Sequence, residues 1–121
     1  MADVRILIVD DSRTSRRILR NLLEAQGYIV VAEAENGEVG YLKYRDLKPD
    51  LVTMDITMPK MDGIESLTLI KKLNPEAKVV MITAAGQKEK MVDALKRGAD
   101  EFITKPFDGE EVSSIIKKLV E

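Results

Sequence analysis

Five short runs rich in β-branched residues recur along this chain: VRILIV (4–9), YIVVA (28–32), LVTM (51–54), VVMIT (79–83) and EFIT (101–104). Most lack strict apolar–polar alternation, so they read as strands buried on both faces, the mark of a parallel sheet. Segments of helical period fill the gaps. Parallel neighbours joined by helices demand right-handed crossovers, which lay helices on both sheet faces. The expectation is an α/β fold: a doubly wound, five-stranded parallel sheet with five helices, built as one domain over 1–121. A chain of 121 residues is long enough to bury such a core without staples.

Helix signals agree with this division. On 13–26, at about 100° per residue, Ile18, Leu19, Leu22 and Leu23 share one arc, and Arg13, Arg16, Arg17 and Arg20 share the opposite one. That arginine stripe is expected to be a solvated face, with a possible second role in steering an acidic docking partner. In the last helix Val112, Ile115, Ile116, Leu119 and Val120 form one stripe. Gly27 and Gly98 follow helical runs where a left-handed cap is wanted, and Asp108 with Glu111 has the spacing of a capping box. Gly40, inside the second helical run, is unfavourable by about 1 kcal/mol relative to Ala, and close packing is the reason it suggests.

The chain contains no His and no Cys. This excludes disulfides, thiolate or imidazole zinc sites, and nucleophile pairs built on His. Any chemistry must run on carboxylates, hydroxyls, lysines and backbone. A net charge of −2 gives no general attraction to nucleic acid or anionic membrane. The first apolar run is broken by two aspartates within a few residues, so it suits neither a signal peptide nor a membrane span, and the cytoplasm is the default location.

In doubly wound sheets, ligands sit at the carboxyl ends of the strands, near the reversal of strand order. Those ends carry Asp10 and Asp11 after the first strand, Asp55 after the third, Thr83 after the fourth and Lys105 after the fifth; the second runs into Glu33 and Glu35. If the first and third strands are neighbours, three carboxylates converge on an apolar rim and oppose one another's ionisation unless a cation intervenes. A hard divalent ion resolves that conflict, and Mg²⁺, which keeps several waters, suits an open site. A phosphoryl group would also need the ammonium of Lys105 and the hydroxyl of Thr83. Asp55 is then placed as the nucleophile, giving an acyl phosphate.

These residues resemble the response-regulator receiver family. The resemblance rests on LIVDDS (7–12), MDITMPKMDG (54–63), ITAAG (82–86) and ITKPF (103–107), and it spans essentially the whole chain. It implies a flavodoxin-like (βα)5 fold of strand order 2-1-3-4-5, with Asp55 phosphorylated by a phosphohistidine of a sensor histidine kinase. It implies Mg²⁺ held by Asp11, Asp55 and the carbonyl of Thr57, and by Asp10 through water. It also implies a cis Lys105–Pro106 bond, and a switch in which Thr83 moves to the phosphoryl group and Phe102 turns inward beside Ala84. The surface of the fourth helix, fifth strand and fifth helix, with Lys88, Lys90 and Met91, would then change for an output partner such as a flagellar motor switch component. A phosphatase is a further possible partner.

No output domain follows the motifs before Glu121, so the chain resembles stand-alone chemotaxis receivers; phosphorelay intermediates and phosphate sinks share that form. Thr57 and Ala85 stand where such families vary, and neither side chain orients an attacking water well, so slow self-dephosphorylation is expected. Two other functions compete. An Asp-nucleophile phosphohydrolase of the haloacid-dehalogenase kind would want an acid where Thr57 stands. Flavin binding would want a phosphate loop and aromatic partners that the strand ends lack.

Overall fold

A computed structural model describes residues 3–121. The elements alternate strictly: β1 (Arg5–Val9), α1 (Arg13–Ala25), β2 (Ile29–Ala34), α2 (Gly37–Leu47), β3 (Leu51–Asp55), α3 (Gly63–Leu73), β4 (Val79–Thr83), α4 (Lys88–Lys96), β5 (Glu101–Thr104) and α5 (Gly109–Val120). All strand pairs are parallel, in the order β2-β1-β3-β4-β5. The order reverses between β1 and β3, which brings Asp10 and Asp55 to adjacent strand ends.

Alternation along each strand sorts the core into two layers. Leu7, Val9, Val52, Met54, Val79 and Met81 pack with Tyr44 of α2, Leu67 and Ile70 of α3 and Ala94 of α4. Ile6, Ile8, Leu51, Val80, Ile82 and Ile103 pack with Leu19 and Leu23 of α1 and Val112 and Ile116 of α5. β3 and β4 are buried along their whole length, as their uninterrupted apolar runs require. Within β3, Thr53 is fully buried and its hydroxyl has no hydrogen-bond partner. Thr53→Val keeps the shape and removes that orphan, so the denaturation midpoint should rise by the equivalent of about 1 kcal/mol.

Local punctuation largely matches the sequence. Gly27 and Gly98 hold left-handed φ values of 90° and 103° just beyond α1 and α4. Gly40 is explained by contact: a Cβ there would lie 2.8 Å from both Cγ atoms of Val9, so its absence lets α2 settle onto β1. The capping box at α5 does not form. The Asp108 carboxylate accepts the Glu110 N–H at 2.9 Å, but Glu111 turns away and accepts the Thr104 N–H at 3.2 Å, tying α5 to the end of β5. The arcs assigned to α1 also need correction. Arg16, Leu19 and Leu23 are the buried residues, whereas Ile18 is exposed. The buried stripe runs along the border between the two arcs rather than through the apolar one.

Candidate functional site

Four of the five strands, β1, β3, β4 and β5, bring a residue at or just past their carboxyl end to the same rim. Asp10 follows β1 and is only 2% exposed; Asp55 ends β3 and is 8% exposed; Asp11 is exposed beside them. One carboxylate oxygen from each of the three lies within 4.8 Å of the others, an arrangement that could hold a metal ion. Lys105, after β5, places its Nζ 2.9 Å from Asp10 Oδ2 and 3.4 Å from Asp55 Oδ2. Thr83 is buried at the end of β4, and its carbonyl accepts the Lys105 N–H at 2.8 Å. The Lys105–Pro106 bond is cis, as the family resemblance implies.

The electrostatics follow from this crowding. Burial, reinforced by repulsion from Asp10, pushes the Asp55 carboxyl up to about 6, against the pull of Lys105. Burial would drive the Lys105 ammonium down, but its contacts with Asp10 and Asp55 outweigh that and hold it above its ordinary value. One ammonium thus pairs with two of three clustered carboxylates. The surplus negative charge is a property of the rim itself, and a divalent cation is the hard, oxygen-seeking group that such a donor set accepts.

The framework around the carboxylates is tightly fixed. The Asp10 side chain accepts the Ser12 N–H at 2.8 Å, and Ser12 in turn caps α1 through the Ser15 N–H at 3.2 Å. On the other side, the Gly63 N–H donates to the Ile56 carbonyl at 2.8 Å, pinning the start of α3 under the end of β3. Gly37 N–H donates to the Met61 carbonyl at 2.8 Å, and Ser66 Oγ donates to the Gly37 carbonyl at 2.8 Å, so α2 and α3 brace the β3–α3 loop together.

Arg16 is not part of a solvated stripe. It is 9% exposed, donating to the Asp10 carbonyl at 2.6 Å and to Glu33 Oε1 at 2.9 Å. Arg20 reaches Glu33 Oε2 at 2.6 Å, so Glu33 serves two guanidiniums rather than the metal cluster; they hold its carboxyl below the ordinary value although burial opposes them. Glu35 is exposed and also lies outside the cluster. Within the stripe, Arg13 and Arg17 are the exposed members left for any docking role. Arg16→Ala removes the brace under Asp10 and leaves a buried carbonyl unpaired. A loss of about 2–3 kcal/mol in chemical denaturation is expected, together with weaker Mg²⁺ affinity by titration calorimetry.

Two features of the rim escaped sequence reasoning. Gln87, the residue before α4, sends its side chain back to Thr57 and Ala84 instead of capping its helix. On α4 itself, Val92 and Leu95 are exposed large apolar residues beside the expected Lys88, Lys90 and Met91. Phe102 is half-buried against the core layer that contains Ala94 of α4. Among the described residues no helix is long and apolar enough to cross a membrane.

Comparison with known proteins places this geometry. Residues 6–117 match the family described as response regulator receiver domain. The chain is 47% identical over 115 residues to the chemotaxis protein CheY of Listeria monocytogenes, covering 95% of this chain and 97% of that one. It is 48% identical over 114 residues to the chemotaxis protein CheY of Bacillus subtilis, covering 94% and 95%. Among solved structures, the CheX–CheY–BeF3–Mg²⁺ complex of Borrelia burgdorferi superposes with a TM-score of 0.91 at 37% identity, covering 98% of this chain and 90% of that one.

Proposed function

The chain belongs to the response regulator receiver family and is of the CheY type, and from that premise we propose that it is a phosphoryl-operated signalling switch acting in chemotaxis. The observation that carries the reading is the position of Lys105 Nζ between Asp10 and Asp55, with Asp11 in the same cluster. In this reading an Asp55 carboxylate oxygen attacks the phosphorus of a phosphohistidine on a sensor kinase. A P–O bond forms as the P–N bond breaks, and the electron pair returns to the donor imidazole. Lys105 moves its contact from the Asp55 carboxylate to the incoming phosphoryl oxygens, and the Thr83 hydroxyl donates to another. Mg²⁺, held by Asp10, Asp11, Asp55 and the Thr57 carbonyl, would supply the positive charge that lets an anionic nucleophile and an anionic phosphoryl group approach.

The output is a population shift. A covalent charge at Asp55 favours the arrangement in which Thr83 is drawn inward and Phe102 repacks, changing the α4-β5-α5 surface that a motor switch component would read. The likeness to a CheY solved with Mg²⁺, BeF3 and CheX supports the metal and a further protein partner of the CheX kind. The test is intact mass after incubation with acetyl phosphate: one phosphoryl group should be gained with Mg²⁺ and none with chelator. Uptake indifferent to Mg²⁺, or continuous turnover of phosphate esters without a stable adduct, would overturn the reading.

Slow decay of the adduct belongs to the same proposal. Thr57 and Ala85 flank the rim from two loops, and neither offers a carboxylate or amide to orient water. Ala85→Glu should shorten the half-life of the phosphorylated protein several-fold, short of the about 10²–10⁴-fold that a fully positioned acid–base group typically contributes. Decay after removal of the phosphodonor, followed by mass, measures it.

A further inference from the structure

Gln87 occupies the N-cap of α4, yet its side chain makes no capping bond. A cap would ordinarily accept an N–H of its own first turn. Instead Oε1 accepts the Ala84 N–H at 2.7 Å, and Nε2 donates to Thr57 Oγ1 at 2.7 Å. One amide therefore spans the mouth of the site. Thr57 lies two residues beyond Asp55, and Ala84 directly follows Thr83. The helix it precedes is weakly held: α4 is nine residues long and buries only Ala94, whereas α3 buries five residues.

We propose that the Gln87 amide is a clasp that holds the β4–α4 loop against the β3–α3 loop in the resting molecule and is released when the site takes up a phosphoryl group. This rests on the reading of Asp55 as phosphoacceptor. The argument is one of competing partners. Ala84 has a single N–H, on the peptide that joins it to Thr83, so a shift of that peptide toward Asp55 carries the N–H away from Oε1. The resting arrangement thus holds two hydrogen bonds that the switched arrangement gives up. Because Thr57 and Ala84 are exposed, water replaces the lost partners, so the bias is moderate. Its effect concentrates on α4, whose first turn begins at the next residue, Lys88, and which has little buried surface to hold it in place. Gln87 is accordingly a positioning residue, acting through the loop rather than on phosphorus.

Beryllofluoride with Mg²⁺, a stable stand-in for the phosphoryl group, is the probe. Gln87→Ala should bind it about 3–10-fold more tightly than the unaltered protein, the change expected for one or two solvent-accessible hydrogen bonds removed from the competing state. Thr57→Val, which keeps the backbone carbonyl, should give a smaller gain, and the double variant should bind no more tightly than Gln87→Ala alone. Equal or weaker binding by Gln87→Ala, or gains that simply add, would overturn the clasp. So would a lowered melting temperature with unchanged beryllofluoride affinity, since that marks a purely structural role. If the unaltered protein itself binds no beryllofluoride in Mg²⁺, the phosphoacceptor reading fails first and the clasp with it.

Discussion

Asp55→Asn is expected to take up no phosphoryl group and, in metal-free solution at pH 7, to be more stable than the unaltered protein. The first outcome follows from chemistry: an amide has no anionic oxygen with which to attack phosphorus. The second follows from the rim. Three carboxylates cluster beside one ammonium, which pairs with Asp10 and Asp55, and Asp55 is the member whose carboxyl is pushed up to about 6 by burial and by Asp10. Asparagine fills the same space without the charge. Lys105 retains Asp10 at 2.9 Å, so the substitution leaves no buried cation unpaired.

The sign of the pH dependence can be fixed from that shift. A carboxyl whose folded-state value lies above its unfolded value binds its proton more tightly when folded. The unfolded chain therefore ionises first, near pH 4, and stability falls as pH rises toward about 6, beyond which the loss is constant. The penalty at pH 7 is about 1–2 kcal/mol once screening at the open rim is allowed for. Asp55→Asn should therefore melt about 3–8 °C higher in chelator at pH 7, with the gap closing as pH is lowered toward 4. Added Mg²⁺ should narrow the gap by stabilising the unaltered protein through mass action. Equal melting temperatures across this pH range in chelator would show that the carboxylates do not crowd one another as their spacing indicates.

The legibility of this fold in its sequence varied with the range of the forces involved. Strands such as VVMIT announce themselves because a strand buried on both faces needs apolar residues at every position, and the adjacency of Asp10 and Asp55 then follows from the strand order that the family motifs imply. Sorting α1 into arcs by residue type puts Arg16 on the wrong side. Its spacing to Leu19 and Leu23 is that of a single buried stripe, and the partner that permits its burial, Glu33, sits at the end of β2. The clue was thus present as spacing plus a complementary charge. Glu111 and Gln87 carried no such clue: each turns from its own helix, Glu111 to the Thr104 N–H at the end of β5, Gln87 to the Ala84 N–H in its own loop and to Thr57 on the β3–α3 loop. Whether Thr57 lies within reach of Gln87 depends on the three-dimensional approach of two loops, a distance that no periodicity encodes.

Gly63→Ala is expected to be among the most damaging single-methyl additions available to this chain, and the reason lies in what the methyl would meet. A Cβ at Gly63 would fall on the backbone carbonyl oxygen of Asp55, with the carbonyl carbon at 2.8 Å and Ile56 Cα at 3.0 Å. All three are main-chain atoms at the end of a fully buried strand, so no rotamer change relieves the clash. The start of α3 must move off β3, breaking the Gly63 N–H bond to the Ile56 carbonyl and shifting the loop that carries Thr57. A cost of about 3 kcal/mol or more is expected, lowering the melting temperature by roughly 10 °C or more. Gly40→Ala makes a useful contrast, because there the obstacle is the Val9 side chain. Val9→Ala should restore part of the stability lost in Gly40→Ala, whereas trimming neighbouring side chains should restore none in Gly63→Ala. Since the displaced carbonyl belongs to Asp55, Gly63→Ala should also weaken Mg²⁺ binding in the fraction that remains folded, and Gly40→Ala should not. A Gly63→Ala protein with unaltered melting temperature and Mg²⁺ affinity would mean that the close approach of α3 to β3 does not set the geometry of the carboxylate rim.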